Sequence, residues 1–240
     1  ETPVARRLLT LASGHALVAV GVALMIRAEI GVAPYDVLTT GVAQALFGAD
    51  SATAANLERL LEALDIAHRT HREAPFAFHY DQTVGFGELL STTLVAAWLN
   101  EIGLPTRWCD ARKLIVTDDR HQSAGIDWGK TCDRLRSLAA REEALLLTQG
   151  FIGATPNGAM TTLGREGSDF SAAILAHCLD APGLTIWKDV TGVFNADPGR
   201  FDNARQLERL SYAEAVEQSW HGAKVIHPRT LAPLQRKAIP

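Results

Sequence analysis

The stretch 150–180, GFIGATPNGAMTTLGREGSDFSAAILAHCLD, restricts what this chain can fold into more than any other. A short apolar run at 145–147 predicts a strand that enters Gly150 and Gly153. Thr155-Pro156-Asn157-Gly158 is turn chemistry, and Gly167-Ser168-Asp169 opens a predicted helix. Ser168 or Asp169 suits its N-cap, while Ala172, Ala173, Ile174, Leu175 and Leu179 give it an apolar face. A helix start exposes unpaired N–H groups, and glycines let an anion approach the backbone closely, so the place favours a phosphate or a carboxylate. Glycine before a helix is also ordinary turn chemistry, and local sequence alone leaves both readings open.

The flanking segments set the fold class. Leu57, Leu60, Leu61, Leu64 and Ala67 recur at helical spacing within 53–72, and Ala74-Pro75-Phe76 ends that helix. A second helix is predicted over 86–101, with Gly103 as its stop and Glu88 in its first turn. Short strands are predicted at 106–109 and 114–117, and a helix at 128–141 with Leu135, Leu138 and Ala139 inward. Beyond the central stretch, a strand at 184–187 is expected to deliver Lys188 and Asp189 to the same edge. A loop follows over 191–200, then a helix over 212–220, and Gly222-Ala223-Lys224 leads into a further strand. Strands alternating with crossover helices indicate an α/β fold with a parallel sheet covered on both faces, which gathers ligands at strand carboxyl ends.

Composition narrows the function. With 240 residues, 47 % of them apolar, the chain can bury a sizeable core in one large domain or two small ones. Net charge is −4 with no basic run, which argues against a nucleic-acid partner. Cys109, Cys132 and Cys178 are widely spaced and form no C-x-x-C pair, so they read as reduced packing thiols of a cytoplasmic protein. His68, His71 and His79 lack a convincing fourth ligand and read as solvated histidines rather than a metal site. Ser91, Ser168 and Ser211 each have a cap or turn explanation, so no hydrolase triad is expected.

TTLGREGSDFSAA resembles the aspartate kinase signature TTLGRGGSDxSA, and further runs follow in that family's order. Ile186-Trp187-Lys188-Asp189-Val190-Thr191-Gly192-Val193 is similar to its nucleotide-site run W-T-D-V-D-G-V. Asn195-Ala196-Asp197-Pro198, Leu210-Ser211-Tyr212-Ala213-Glu214-Ala215 and Gly222-Ala223-Lys224-Val225-Ile226-His227-Pro228-Arg229-Thr230 come next. Upstream, Gly87-Glu88-Leu89-Leu90-Ser91 resembles the family's G-E-x-x-S helix start. Several motifs in one order are far more specific than a lone glycine loop. Over residues 83–240 the chain is thereby identified as similar to aspartate kinases of the amino acid kinase family.

That resemblance implies a three-layer sandwich with a mainly parallel sheet between helices, incomplete at both ends. Residues 50–240 would form a catalytic domain lacking the family's N-terminal K-F-G-G strand and its C-terminal regulatory domains, so feedback control by lysine or threonine is not expected here. It implies phosphoryl transfer from ATP, with Mg2+, to the side-chain carboxylate of L-aspartate, a first step towards lysine, threonine and methionine. By the same resemblance Glu88, Arg165 and Ser168 contact aspartate, Asp169 is catalytic, and Lys188, Asp189, Phe194, Arg200 and Lys224 contact ATP. The chain departs from the pattern where Lys188 replaces threonine, Thr191 replaces aspartate, and the arginine after Asp197-Pro198 is displaced to Arg200. A homodimer is expected. Kinases acting on glutamate or acetylglutamate are the runner-up.

Residues 1–49 read differently. Residues 8–26 carry no formal charge and follow Arg6-Arg7, which suffices for one membrane crossing with its start in the cytoplasm; a buried core helix is the alternative. Gly31-Val32-Ala33-Pro34-Tyr35-Asp36-Val37-Leu38 is similar to a run in a family of small multi-span bacterial membrane proteins. Membrane association is expected only through 8–26. The first lysine is Lys113, so the K-F-G-G lysine that meets the transferring phosphoryl group is expected to be absent. An active kinase, an inactive member that still binds nucleotide or aspartate, and a membrane-anchored interaction module are the three functional readings.

Overall fold

The computed structural model describes residues 52–141, 144–188, 190–221 and 225–240. Helix α1 (Ala52–Thr70) presents Ala54, Leu57 and Leu61 to Leu90 and Leu94 of α3 (Phe86–Glu101), as the leucine spacing predicts. Gly103 ends α3 in a left-handed conformation (φ 84°), and Leu104 N–H donates back to Leu99 O at 2.9 Å. Between them Pro75 starts α2 (Phe76–Val84), a helix the sequence pattern does not announce. Pro75 closes one helix and, with its fixed φ, also opens the next.

Strand β1 (Thr106–Cys109) pairs in parallel with β2 (Leu145–Thr148). The predicted strand at 114–117 is displaced. Asp110 caps a single turn, α4 (Ala111–Leu114), by accepting from Arg112 N, and the extended part begins only at Ile115. Val116 then bridges Ala154 in parallel. Helix α5 (Trp128–Ala139) buries Thr131 and Leu135, with Asp127 as N-cap. Strands β3 (Ile152–Ala154) and β4 (Met160–Thr162) form an antiparallel hairpin around the Thr155–Gly158 turn and are buried throughout.

These strands separate two helical layers, giving the expected α/β architecture. Ile152 and Met160 pack with Phe86, Leu89, Leu60 and Leu64 from α1 and α3. On the other side Leu163 and Ala124 pack with Leu135 of α5 and with Phe170 and Ile174 of α6 (Gly167–Cys178). Helix α7 (Tyr212–Trp220) carries a complete capping box between Ser211 and Glu214, and α8 (Pro228–Gln235) lays Leu234 against Ala173 and Ala176 of α6.

Two further expectations are corrected. Residues 184–188 take no regular secondary structure, and Trp187 is 91 % exposed. Leu184 N–H donates to Pro240 O at 2.9 Å instead of to a neighbouring strand. Cys132 and Cys178 are not reduced thiols but a disulfide with Cα atoms 4.6 Å apart, which joins α5 to the end of α6. Forty-six residues separate them in sequence, so only the folded packing of the two helices brings them together. Among the described residues no helix is long and apolar enough to cross a membrane. Residues 8–26 lie outside the described residues.

The hairpin is held by two side chains of α2. Gln82 Nε2 donates to Met160 O at 2.6 Å and its Oε1 accepts from Met160 N at 3.1 Å. Asp81, fully buried, accepts from Thr162 Oγ1 at 2.7 Å, Thr162 N at 3.1 Å and Gln122 N at 3.1 Å, and His121 Nδ1 lies 2.8 Å away. Together they supply the edge of β4 with the partners a neighbouring strand would give. Removing the carboxylate strands several buried donors, so Asp81→Ala is expected to lower unfolding free energy by about 3 kcal/mol in a denaturant titration; an unchanged midpoint would contradict this network. Closing a loop of this length with the disulfide is worth roughly 3–4 kcal/mol. Thermal unfolding should therefore shift down under reductant in the parent and not in Cys132→Ser.

Candidate active site

The start of α6 is built by close backbone approach. A Cβ on Gly150 would lie 2.9 Å from the Cα of Ser168, so only glycine lets the β2–β3 connection press against this helix tip. Gly164 is left-handed (φ 78°), and a Cβ there would meet Gln122 O at 2.8 Å. The N-cap lies two residues before Ser168 and three before Asp169, the two candidates the sequence suggests. Glu166, at φ 52°, is the N-cap, while Ser168 and Asp169 sit in the first turn. No side chain caps the helix; Gly167 N–H donates to Gly164 O at 3.0 Å, and the N–H groups of Ser168 and Asp169 have no side-chain acceptor among the described residues.

Phe151 is the second non-glycine residue here with a left-handed backbone, φ 69°. Ser171 Oγ holds it by accepting from Phe151 N at 2.9 Å while donating to Gly167 O at 2.9 Å. Strained backbone gathered at one place is a mark of functional geometry. Arg229 braces the same region from α8. Its guanidinium donates to Leu163 O at 2.7 Å and Ala124 O at 2.6 Å, and lies over the Phe170 ring 4.3 Å from its centre.

A cleft of 660 Å³ opens here, lined by Glu88, Arg165, Glu166 and Ser168 together with Phe151 and Thr162. The three residues predicted to contact a substrate thus share one cavity. Glu88, from the first turn of α3, is half-buried, and burial pushes its carboxyl above the ordinary value. Its side chain has no hydrogen-bonding or ionic partner among the described residues, and neither has that of exposed Arg165. One unpaired carboxylate and one unpaired guanidinium in one cleft complement the ammonium and carboxylate of an amino acid.

Asp169 is turned towards Lys188, whose Nζ lies 2.7 Å from Asp169 Oδ2 and 3.7 Å from Glu166 Oε2. Burial pulls the Lys188 ammonium down, but the Asp169 and then the Glu166 carboxylates outweigh it and its pKa rises. Lys188 therefore does reach the site edge, though on an irregular segment rather than a strand. Phe194 lies further along, bridged to Gln206, and exposed Arg200 faces Asp197 at 3.7 Å; neither lines the cleft. Asp189 and Lys224 lie outside the described residues. Among the described residues no cluster of three or more His, Cys, Asp or Glu could hold a metal, and the His68 and His79 rings meet at a tilt of 58° with centres 5.1 Å apart.

A larger cleft, 1180 Å³, lies between the start of α2, the 117–127 loop and the β3–β4 turn. Two of its three carboxylates are already matched, Asp118 to Arg120 at 2.8 Å and Asp127 to Lys130 at 2.9 Å, and no unpaired cation stands among its lining residues to receive a substrate carboxylate. Phe151 and Glu166 were not singled out from sequence because left-handed backbone at a non-glycine residue leaves no compositional trace. Arg229 stood inside a matching motif without a stated role.

Comparison with known proteins agrees with this geometry. The amino acid kinase family profile matches residues 38–240. Lysine-sensitive aspartokinase 3 of Escherichia coli is 40 % identical over 186 residues, 77 % of this chain and 41 % of that protein. Bifunctional aspartokinase/homoserine dehydrogenase 2 of Arabidopsis thaliana is 40 % identical over 187 residues, 77 % of this chain and 20 % of that protein. The crystal structure of E. coli aspartokinase III with aspartate and ADP superimposes with a TM-score of 0.76 at 35 % identity, covering 87 % of this chain and 47 % of that one. The chain thus spans less than half the length of these relatives.

Burial of an unpaired Glu88 has a stability signature. The native state holds that proton more tightly than the unfolded chain, so stability falls as pH rises from the ordinary glutamate value through the raised one. Glu88→Gln is expected to be more stable than the parent at neutral pH and to lose that advantage near pH 4. Urea unfolding at both pH values checks this, and a pH-independent difference would show that Glu88 is not so burdened.

Proposed function

This chain belongs to the amino acid kinase family, and from that premise we propose that it phosphorylates the side-chain carboxylate of L-aspartate at the expense of ATP, giving 4-phospho-L-aspartate. The observation that carries the reading is the cleft in which Glu88 and Arg165 stand unpaired beside the uncapped start of α6. The E. coli relative whose structure contains aspartate and ADP supports the choice of ligands.

In this reading Glu88 receives the substrate ammonium, which restores its ionised state, and Arg165 clamps a carboxylate through two parallel N–H contacts. Ser168 donates from the first turn of α6. The attacking carboxylate has an ordinary pKa of about 3.9 and is already ionised at neutral pH, so no general base is required. Catalysis then rests on alignment and on compensation of negative charge around the transferred group. The leading N–H groups of α6 and Lys188 supply that compensation, and Asp169 holds Lys188 in place. By the resemblance, Asp189, Phe194, Arg200 and Lys224 would be the nucleotide contacts; of these Phe194 and Arg200 lie away from the cleft. Mg2+ arriving with ATP would supply further charge neutralisation on the phosphates; the Asp169 and Glu166 carboxylates at the helix tip are already paired with Lys188 and do not by themselves form a metal site.

The test is ADP release coupled to an optical readout, with L-aspartate as acceptor. Turnover with aspartate and not glutamate supports the reading. Retained ADP affinity without turnover would leave a protein that binds these ligands and does no chemistry. Arg165→Ala is expected to raise KM for aspartate by roughly 10- to 100-fold, the worth of a hydrogen bond to a charged group, while moving KM for ATP by less than about threefold. Equal changes in both constants would count against a substrate clamp.

A further inference from the structure

Two charged side chains that the aspartate kinase pattern does not contain meet at the tip of α6. Glu166 stands where the signature TTLGRGGSDxSA has glycine, and Lys188 stands where threonine is usual. At φ 52° Glu166 holds a conformation that suits glycine and is costly for an L side chain. The Glu166 carboxylate and the Lys188 ammonium come from opposite ends of α6 in the sequence and nevertheless lie 3.7 Å from one another.

Neither is a freely solvated surface charge. Lys188, Glu166 and Asp169 side chains are 22 %, 20 % and 15 % exposed. Oε2 of Glu166 and Oδ2 of Asp169 are shut off from solvent, and apart from the Lys188 ammonium they have no donor among the described residues. Glu166 also lines the cleft beside Arg165 and Ser168. A second carboxylate added to Asp169 at this helix start opposes the approach of phosphate, and one ammonium held between the two removes that opposition.

We propose that Glu166 and Lys188 are a matched pair of positioning residues that set the charge at the phosphate end of the nucleotide site: Lys188, held at 2.7 Å by Asp169 and 3.7 Å from Glu166, cancels the charge that Glu166 adds beside Asp169, so that a polyphosphate can approach the start of α6. This rests on the reading of the chain as an ATP-dependent kinase. The pair acts on the phosphates and not on the nucleoside, which separates it from an ion pair that merely stabilises the fold.

The experiment is calorimetric titration of the full chain with ADP and, separately, with adenosine, in the parent, Lys188→Thr, Glu166→Gly and the double variant, alongside thermal unfolding. Lys188→Thr is expected to weaken ADP about tenfold when Glu166 is present and less than about threefold when glycine replaces it, with adenosine affinity unmoved. Lys188→Arg, which keeps the charge, is expected to retain most of the ADP affinity and guards against a Lys188→Thr variant that does not fold. Equal losses in both backgrounds, a loss shared by adenosine, or an Arg variant as weak as Thr would overturn the pairing while leaving the kinase reading in place. A parent that binds no ADP would overturn both.

Discussion

The geometry of the cleft depends on a carboxylate that never reaches it. Asp81 is buried beneath β4 and gathers Thr162, Gln122 and His121 around its two oxygens. Gln82 beside it satisfies both backbone groups of Met160. A two-stranded hairpin has little stability by itself, and its free edge needs partners. Here a helix supplies them from side chains, and that fixes Thr162 and Gln122 in the cleft wall. Leu163 and Gly164, which follow directly, are then set at the right height to start the turn into α6. Arg229 does the same from the opposite side, through Leu163 O and Ala124 O.

Much of this was legible in the residues. The leucine stripe of α1, the bounds of α3 and its stop at Gly103, the strands at 106–109 and 145, and the capping box of α7 all follow local rules that the structure obeys. The grouping of Glu88, Arg165 and Ser168 was legible only through the resemblance, because Glu88 comes from α3 and the other two from the turn before α6 and its first turn, far apart in sequence. What was not legible is long-range. Helix α2 is short and its Asp81 and Gln82 look like surface residues until β4 is set against them. The 184–188 segment has a strand's composition, but composition does not provide a neighbouring strand, and Leu184 turns to Pro240. The disulfide was missed because Cys132 and Cys178 lie on separate helices whose packing brings them together.

Charge is distributed unevenly about the cleft. The side of Glu88 and Arg165 carries charges without partners among the described residues, which for half-buried Glu88 is a cost that a substrate ammonium relieves. The side of α6 carries two carboxylates, Asp169 and Glu166, of which the Lys188 ammonium offsets one charge. One side is therefore arranged to gain a small amino acid, and the other to avoid repelling an anion. The two requirements are met on elements that share only the tip of α6, so each can be altered with little effect on the other.

The covalent link between α5 and the far end of α6 has a mechanical corollary. Helix α6 is fastened at its tail by Cys178 and pressed at its head by Gly150, so it behaves as a strut that neither slides nor tilts. Accommodation of longer or shorter ligands is then left to the site edge, where Lys188 rides on backbone of no regular secondary structure. The cleft is thus a vice with one fixed jaw.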